Sequence, residues 1–368
     1  MSIKVLSIFG TRPEAIKMAP LVKELDSRKG IKSIVCVTAQ HRDMLDQVLK
    51  IFKIKPNYDL NIMQPGQTLS GITAKAIKGI EDVILKEKPD LVLVHGDTTT
   101  AMAGALAAFY QQIKIGHVEA GLRTRDKNFP FPEEINRQII DQLADYLFAP
   151  TRKSRRNLGK KLNKGQKIYI TGNTAIDALK TTVSTDYSHH VLDWVGKDKM
   201  ILLTSHRREN LGDPMRRIFK AIKRITEEFD NVKVVYPVHL NPKVQEVAQE
   251  VFGDSDKVKL IEPLDVFDFH NFMKKAYIIL SDSGGVQEEA PALGKPVLVL
   301  RNTTERPEGV RAGTLKLVGT ATKDVYSATK KLLNNKNAYR RMSKAKNPYG
   351  DGNASKYIVD AILEGDNL

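Results

Sequence analysis

The strongest constraint on the fold is an alternation that repeats along the chain: a short, continuously apolar, β-rich run, a turn, then a longer stretch with helical apolar spacing. In the first half the strand candidates are Ile3–Phe9, Ser33–Thr38, Leu91–His95, Ile115–Glu119, Tyr146–Ala149 and Ile168–Thr171. Helical patterns such as Ala15–Ser27, Ile72–Lys86, Ala101–Gln112 and Ile135–Ala144 separate them. A second series of strands follows at Met200–Thr204, Lys233–Val238, Val258–Ile261, Ile278–Ser281 and Val297–Leu300. Strands that are apolar throughout belong in parallel sheets covered by helices on both faces. The series restarts near Met200, after the weakly patterned segment Ser184–Lys199. A length of 368 residues, against a prior of about 150 per domain, also suits two domains. The expected class is therefore α/β, with two Rossmann-like doubly wound domains.

Composition removes several alternatives. The apolar and charged fractions, 41% and 27%, are those of a globular protein. No run approaches the roughly 18 apolar residues of a membrane helix, and the N-terminal apolar run is too short for a signal sequence. The single cysteine, Cys36, has no disulfide partner in the chain and no companions for a metal cluster. A reducing, cytoplasmic setting is expected. The net charge of +15 raises the question of nucleic acid. Much of the excess is local, in Arg152, Lys153, Arg155, Arg156, Lys160, Lys161, Lys164 and Lys167, without interleaved aromatics or a reader motif. That stretch reads as a solvated basic face, and no specific nucleic-acid binding is expected. GxGxxG, P-loop, HExxH and CxxC patterns are absent, so no nicotinamide cofactor or metal is expected.

In doubly wound sheets ligands sit beyond the carboxyl ends of the strands, so the turns there carry the argument. After the first strand, Thr11, Pro13 and Glu14 suit a helix start with a capping box. Arg12 does not fit that role, since a cation opposes the positive end of the helix dipole. It makes sense beside a bound phosphate, with Lys17 adding a second positive charge. Asp97 follows the strand ending at His95, Glu119 ends the next strand, and Glu133 and Glu134 open a later helix. Each acid alone reads equally well as a helix cap. Together they offer general acids and bases on one sheet edge. In the second series, His206 with Arg207 and Arg208 follows one strand and His239 another. Ser281-Asp282-Ser283-Gly284-Gly285 then leads into a helix carrying Glu288 and Glu289, where paired glycines let a backbone approach a diphosphate. An arginine turn on one domain and a Gly-Gly turn on the other predict a cleft holding a phosphate-bearing small molecule.

The motifs GTRPEAIKMAP (Gly10–Pro20), TAQHRDML (Thr38–Leu45), HGDTTT (His95–Thr100), HVEAGLRT (His117–Thr124), FPEEINR (Phe131–Arg137), GNTAIDAL (Gly172–Leu179), SHRREN (Ser205–Asn210), SDSGGVQEEAPALGKPVLVLR (Ser281–Arg301) and TTERPEG (Thr303–Gly309) stand in order along essentially the whole chain. Together they resemble the non-hydrolysing UDP-N-acetylglucosamine 2-epimerases. The resemblance implies a GT-B-type pair of Rossmann-like domains with the active site in the interdomain cleft. Residues 1–171 with 351–368 would form the first domain and 172–350 the second, the C-terminal helix Asp351–Leu363 crossing back onto the first.

The implied activity is interconversion of UDP-GlcNAc and UDP-ManNAc at C2, through elimination of UDP and re-addition to a 2-acetamidoglucal, without a cofactor. The product would supply bacterial cell-surface polysaccharide. By motif match, Asp97, Glu119, Glu133 and His206 correspond to the catalytic set. Arg12, Lys17, Phe269, Ser283, Gly284, Gly285, Glu289 and Arg306 correspond to the UDP-binding set. Gln40, His41, Gln67, Arg207 and His239 match a regulatory site that would take a second UDP-GlcNAc as activator. Asp43 and Gly66 depart from the Gln and Arg of some regulated members. A homodimer is implied, without membrane attachment. The rival readings are a hydrolysing relative that releases ManNAc and a non-catalytic nucleotide-sugar sensor. The sensor would have no need of the three acids.

Overall fold

The computed structural model describes residues 2–39, 42–64, 66–159 and 163–365, without the side chains of 43 and 44. The expected site residues Gln40 and His41, together with Lys160 and Lys161 of the basic stretch, lie outside the described residues. Two compact units are formed, Met1–Thr181 with Tyr349–Leu368, and Thr182–Pro348.

Among the described residues the first unit holds a seven-stranded parallel sheet: β1 (Ile3–Phe9), β2 (Ile31–Val37), β3 (Tyr58–Asp59), β4 (Leu91–His95), β5 (Lys114–Val118), β6 (Tyr146–Ala149) and β7 (Lys167–Ile170). Their spatial order is β3-β2-β1-β4-β5-β6-β7, so the winding reverses where β1 pairs with β4. The second unit has a six-stranded parallel sheet: β8 (Lys199–Thr204), β9 (Val232–Pro237), β10 (Val258–Ile261), β11 (Ile278–Ser281), β12 (Val297–Val299) and β13 (Leu315–Leu317). Its order is β10-β9-β8-β11-β12-β13, with the reversal at β8 and β11.

Burial on both faces explains the unbroken apolar runs. Ile201 and Leu203 of β8 join the same core cluster as Val234, Tyr236, Ile278 and Leu280. Met200 and Leu202, which alternate with them, join Val235, Ile279, Val297 and Val299 in another cluster. A strand whose successive side chains all leave water has no polar positions to spare. The two strands not anticipated, β3 and β13, are two and three residues long, too short to register as apolar runs.

The first unit extends beyond the expected boundary at residue 171 to take in most of the helix Thr174–Thr182. Asp177 accepts the backbone N–H groups of Ala354 at 3.1 Å and Ser355 at 2.8 Å, fastening that helix to the start of the C-terminal helix Ala354–Glu364. The C-terminal helix packs against the helix Arg12–Ser27, with Arg28 Nη2 2.6 Å from Asp360 Oδ1. Arg152, Arg155, Arg156, Lys164 and Lys167 of the basic stretch are exposed, as a solvated face requires. No described helix is long and apolar enough to cross a membrane.

Candidate active site

The turns singled out in the sequence follow β1, β4 and β5 in the first unit and β8 and β11 in the second, bracketing both winding reversals. After β1, Thr11 caps the helix Arg12–Ser27 and the capping box with Glu14 is complete. Glu14 Oε2 accepts Gly10 N–H at 3.1 Å, Thr11 N–H at 2.8 Å and Thr11 Oγ1 at 2.8 Å, while Oε1 accepts Thr98 Oγ1 at 2.6 Å. Burial pushes its carboxyl above the usual value against the pull of these bonds. The Glu14 side chain thus ties the turn after β1 to the turn after β4, and Arg12 is left exposed at the helix start.

After β4 the cap of the helix Thr99–Tyr110 is Thr98, whose side chain accepts Ala101 N–H. Asp97 is therefore not the cap. Arg137 Nη2 reaches Asp97 Oδ2 at 2.5 Å, and Asn136 Nδ2 donates to the Asp97 carbonyl at 2.9 Å. Both partners lie on the helix Glu133–Leu143, so Asp97 is bound to the element that Glu133 opens. Glu133 Oε2 is buried without a hydrogen-bond partner among the described residues. Its neighbour Glu134 has a different task. It accepts Thr124 N–H at 3.0 Å and Arg125 N–H at 3.1 Å, and although burial opposes it, these bonds hold its carboxyl below the usual range.

Glu119 has a backbone φ of +68°, a left-handed conformation uncommon outside glycine. Its Oε2 lies 2.5 Å from Lys17 Nζ and accepts Asn173 Nδ2 at 2.7 Å. Lys17, expected as a second cation beside Arg12, thus pairs here with a carboxylate. His95 is buried with its Nε2 3.7 Å from the same Glu119 oxygen. Behind this surface His117 joins Asp141 Oδ1 at 2.6 Å and the Gly96 carbonyl at 2.7 Å, and Arg123 Nη2 meets Asp141 Oδ2 at 2.6 Å. The three acids expected from sequence are thus carried on turns that buried contacts stitch together. His95, His117, Arg137 and Asp141 were not foreseen as supports. Their signal was weak, since His95 ends one strand, His117 lies within another, and Arg137 and Asp141 sit on an ordinary helix face.

In the second unit His206 is exposed, and its ring stacks on His239 with centroids 5.5 Å apart and planes 7° from parallel. Partial burial, with His239 and Arg207 acting the same way and Asp282 against them, holds the His206 imidazole below its usual value. Arg207 donates from Nε to the Asp282 carbonyl at 2.9 Å and meets Glu305 Oε1 at 3.1 Å. Gly284 and Gly285 do not use positive φ. A Cβ on Gly284 would meet only Arg207 and Glu305 side-chain tips at 3.7 Å, so the missing side chain leaves room over the backbone. Ser283 N–H is held by Ser281 Oγ at 3.0 Å. Glu288 is buried and paired with Arg306, which leaves Glu289, 3.5 Å from His270 Nε2, as the less committed acid. Phe269 packs against the core from the helix Val266–Lys275. Gln67, in the first unit, donates to the Ile62 carbonyl and has no described contact with the acids. Among the described residues no three His, Cys, Asp or Glu side chains are placed to hold a metal ion.

A family model described as UDP-N-acetylglucosamine 2-epimerase matches residues 23–363. The chain belongs to the UDP-N-acetylglucosamine 2-epimerase family. It is 63% identical over 361 residues to the Bacillus subtilis UDP-N-acetylglucosamine 2-epimerase, covering 98% of this chain and 95% of that relative. The S. aureus MnaA–UDP co-structure superposes with a TM-score of 0.91 at 56% identity, covering 100% of this chain and 97% of that one. The Neisseria meningitidis UDP-GlcNAc 2-epimerase bound to UDP-GlcNAc gives 0.87 at 49% identity, covering 98% and 100%. Membership agrees with both parallel sheets and with the motifs that carried the resemblance.

Proposed function

We propose that this family member interconverts UDP-GlcNAc and UDP-ManNAc without hydrolysing either. The supporting observation is the set of three acids, Asp97, Glu119 and Glu133, carried on elements joined through Arg137 and Asn136 to Asp97 and through the His117–Gly96 and His95–Glu119 contacts. Relatives solved with UDP and with UDP-GlcNAc support the substrate class. The C2 proton is barely acidic, so cleavage of the C1–O bond leads, and UDP departs with the bonding electron pair. A carboxylate removes the C2 proton, giving the 2-acetamidoglucal. A proton is then delivered to the opposite face of C2, and a phosphate oxygen of UDP closes on C1 again. Atoms and charge balance, because the proton lost is matched by a proton gained and UDP is retained. General acid–base help of this kind is worth about 10²–10⁴-fold.

The Ser283–Gly285 turn, Arg306, Glu289 and Phe269 take the UDP in this reading. Arg12 and His206 neutralise charge on the departing diphosphate, where fixed donors contribute most. Water must be kept from the glucal, which distinguishes this reaction from that of a hydrolase. Incubation with UDP-GlcNAc in D2O, followed by NMR, tests the proposal. UDP-ManNAc deuterated at C2 is the expected product. Free ManNAc accumulating with UDP would replace the reading by a hydrolysing one, and absence of turnover would remove both.

A further inference from the structure

The turn Ser205–Asn210 is organised by a carboxylate to which the proposed reaction gives no part. Asp282 follows β11 and is fully buried. Its Oδ2 accepts from Ser205 Oγ at 3.2 Å, His206 N–H at 2.9 Å, Arg207 N–H at 3.0 Å and Asn210 Nδ2 at 2.9 Å. These donors leave that oxygen no further capacity. Oδ1 is also buried, and among the described residues it accepts no aligned hydrogen bond. The nearest charged partner is His206 Nδ1, at 3.3 Å. Buried carboxylate oxygens are kept where they have a partner to serve, since leaving one unmatched costs stability. The backbone of the turn needs only one oxygen, and an asparagine would supply it. The second oxygen lies 3.3 Å from the imidazole Nδ1.

We propose that Asp282 is a positioning residue for His206. Its Oδ1 takes the Nδ1–H, so the neutral ring presents a bare Nε2 and the protonated ring an Nε2–H donor. The inference rests on the reading of His206 as the group that assists the diphosphate. A carboxylate behind a histidine fixes its tautomer and stabilises the imidazolium that forms when it accepts a proton. The groups facing the ring are Asp282, Arg207 and His239. His239 accepts the Asn241 N–H at its Nδ1 (3.1 Å), so that nitrogen carries no proton. Partial burial, His239 and Arg207 together outweigh Asp282 and hold the free ring below its usual value, which favours the neutral form whose tautomer the carboxylate sets. An anionic phosphate arriving at Nε2 then favours the cation.

The test uses the full-length protein labelled with ¹⁵N, in long-range ¹H–¹⁵N spectra of the imidazoles at pH 8, with His206→Asn assigning the resonance. The expected result is the Nδ1–H tautomer in the wild type and its Nε2–H counterpart in Asp282→Asn, where the amide turns an N–H toward the ring. An Nε2–H tautomer in the wild type, or no change in the variant, overturns the proposal. If Asp282→Asn fails to fold, the wild-type measurement decides alone. Kinetically, Asp282→Asn should lower kcat by about 10²–10⁴-fold, the scale of a histidine held in the wrong tautomer, with UDP affinity within roughly threefold. Unchanged kcat overturns the functional part. Full turnover by His206→Asn would instead defeat the reading of His206, leaving the tautomer result to stand or fall separately.

Discussion

Gly121 stands two residues after Glu119, and replacing it with alanine probes how the turn after β5 is built. Its φ is +82°, and an added Cβ would lie 2.3 Å from the Ser154 carbonyl oxygen and 2.8 Å from its carbon. Ser154 belongs to the helix Arg152–Asn157, and Asn157 Nδ2 donates back to the Gly121 carbonyl at 3.0 Å. The left-handed conformation alone costs an alanine roughly 1–2 kcal/mol. Forcing a methyl against backbone adds about 1–3 kcal/mol, because a carbonyl within a helix cannot swing aside as a side chain does. A total near 3 kcal/mol corresponds to a fall in melting temperature of roughly 6–12 °C for a unit of this size. Gly159 supplies the control, with φ +86° and nothing among the described residues within 4 Å of an added Cβ. Gly159→Ala should pay the conformational cost only, a fall of about 2–8 °C. Thermal denaturation by circular dichroism separates the two. A Gly121→Ala protein that melts no lower than Gly159→Ala would show that the close approach to Ser154 is not a real constraint. Where enough Gly121→Ala remains folded at 25 °C, its kcat should also fall, since the displaced turn carries Glu119.

Two further outcomes are expected. Asp97→Asn should reduce turnover of UDP-GlcNAc by at least about 10²-fold while UDP still binds, as calorimetry can show; near-normal turnover would take Asp97 out of the proton-transfer group. Glu305 is an acid-sensitive element of the second unit. Burial raises its carboxyl, yet a backbone N–H together with Arg301, Arg207 and Arg306 brings it down to about 2, below the ordinary 4.5. The folded state therefore binds fewer protons than the unfolded chain over that interval, so its stabilising contribution is complete above about pH 4.5 and is lost as pH falls toward 2. Urea midpoints measured across that range should fall less steeply in Glu305→Gln than in the wild type, and parallel curves would contradict the assignment.

Local chemistry made much of the molecule readable from sequence. The Thr11–Glu14 capping box involves residues three apart, and its pattern predicts its geometry without any knowledge of distant contacts. Unbroken apolar strands announced burial on both faces for the same reason. Asp97 shows where such reasoning stopped. An aspartate beside three threonines reads as a cap, and only the folded chain shows Thr98 in that role and Asp97 turned to Arg137, forty residues on. Arg207, among the regulatory candidates, shows the same limit, since its bonds to Glu305 and the Asp282 carbonyl join residues that no local pattern pairs.

The amino-acid order by itself determined the fold class and named the turns that carry the candidate site. Periodicity and caps are properties of neighbours in sequence. The supporting shell was decided by tertiary structure alone: Lys17 on Glu119, Arg137 on Asp97, His117 behind Gly96, Asp282 behind His206. Each of these pairs joins residues between twenty-one and one hundred and two positions apart. The energy of such a contact depends on a separation of a few ångströms that only packing sets, and no local pattern encodes it.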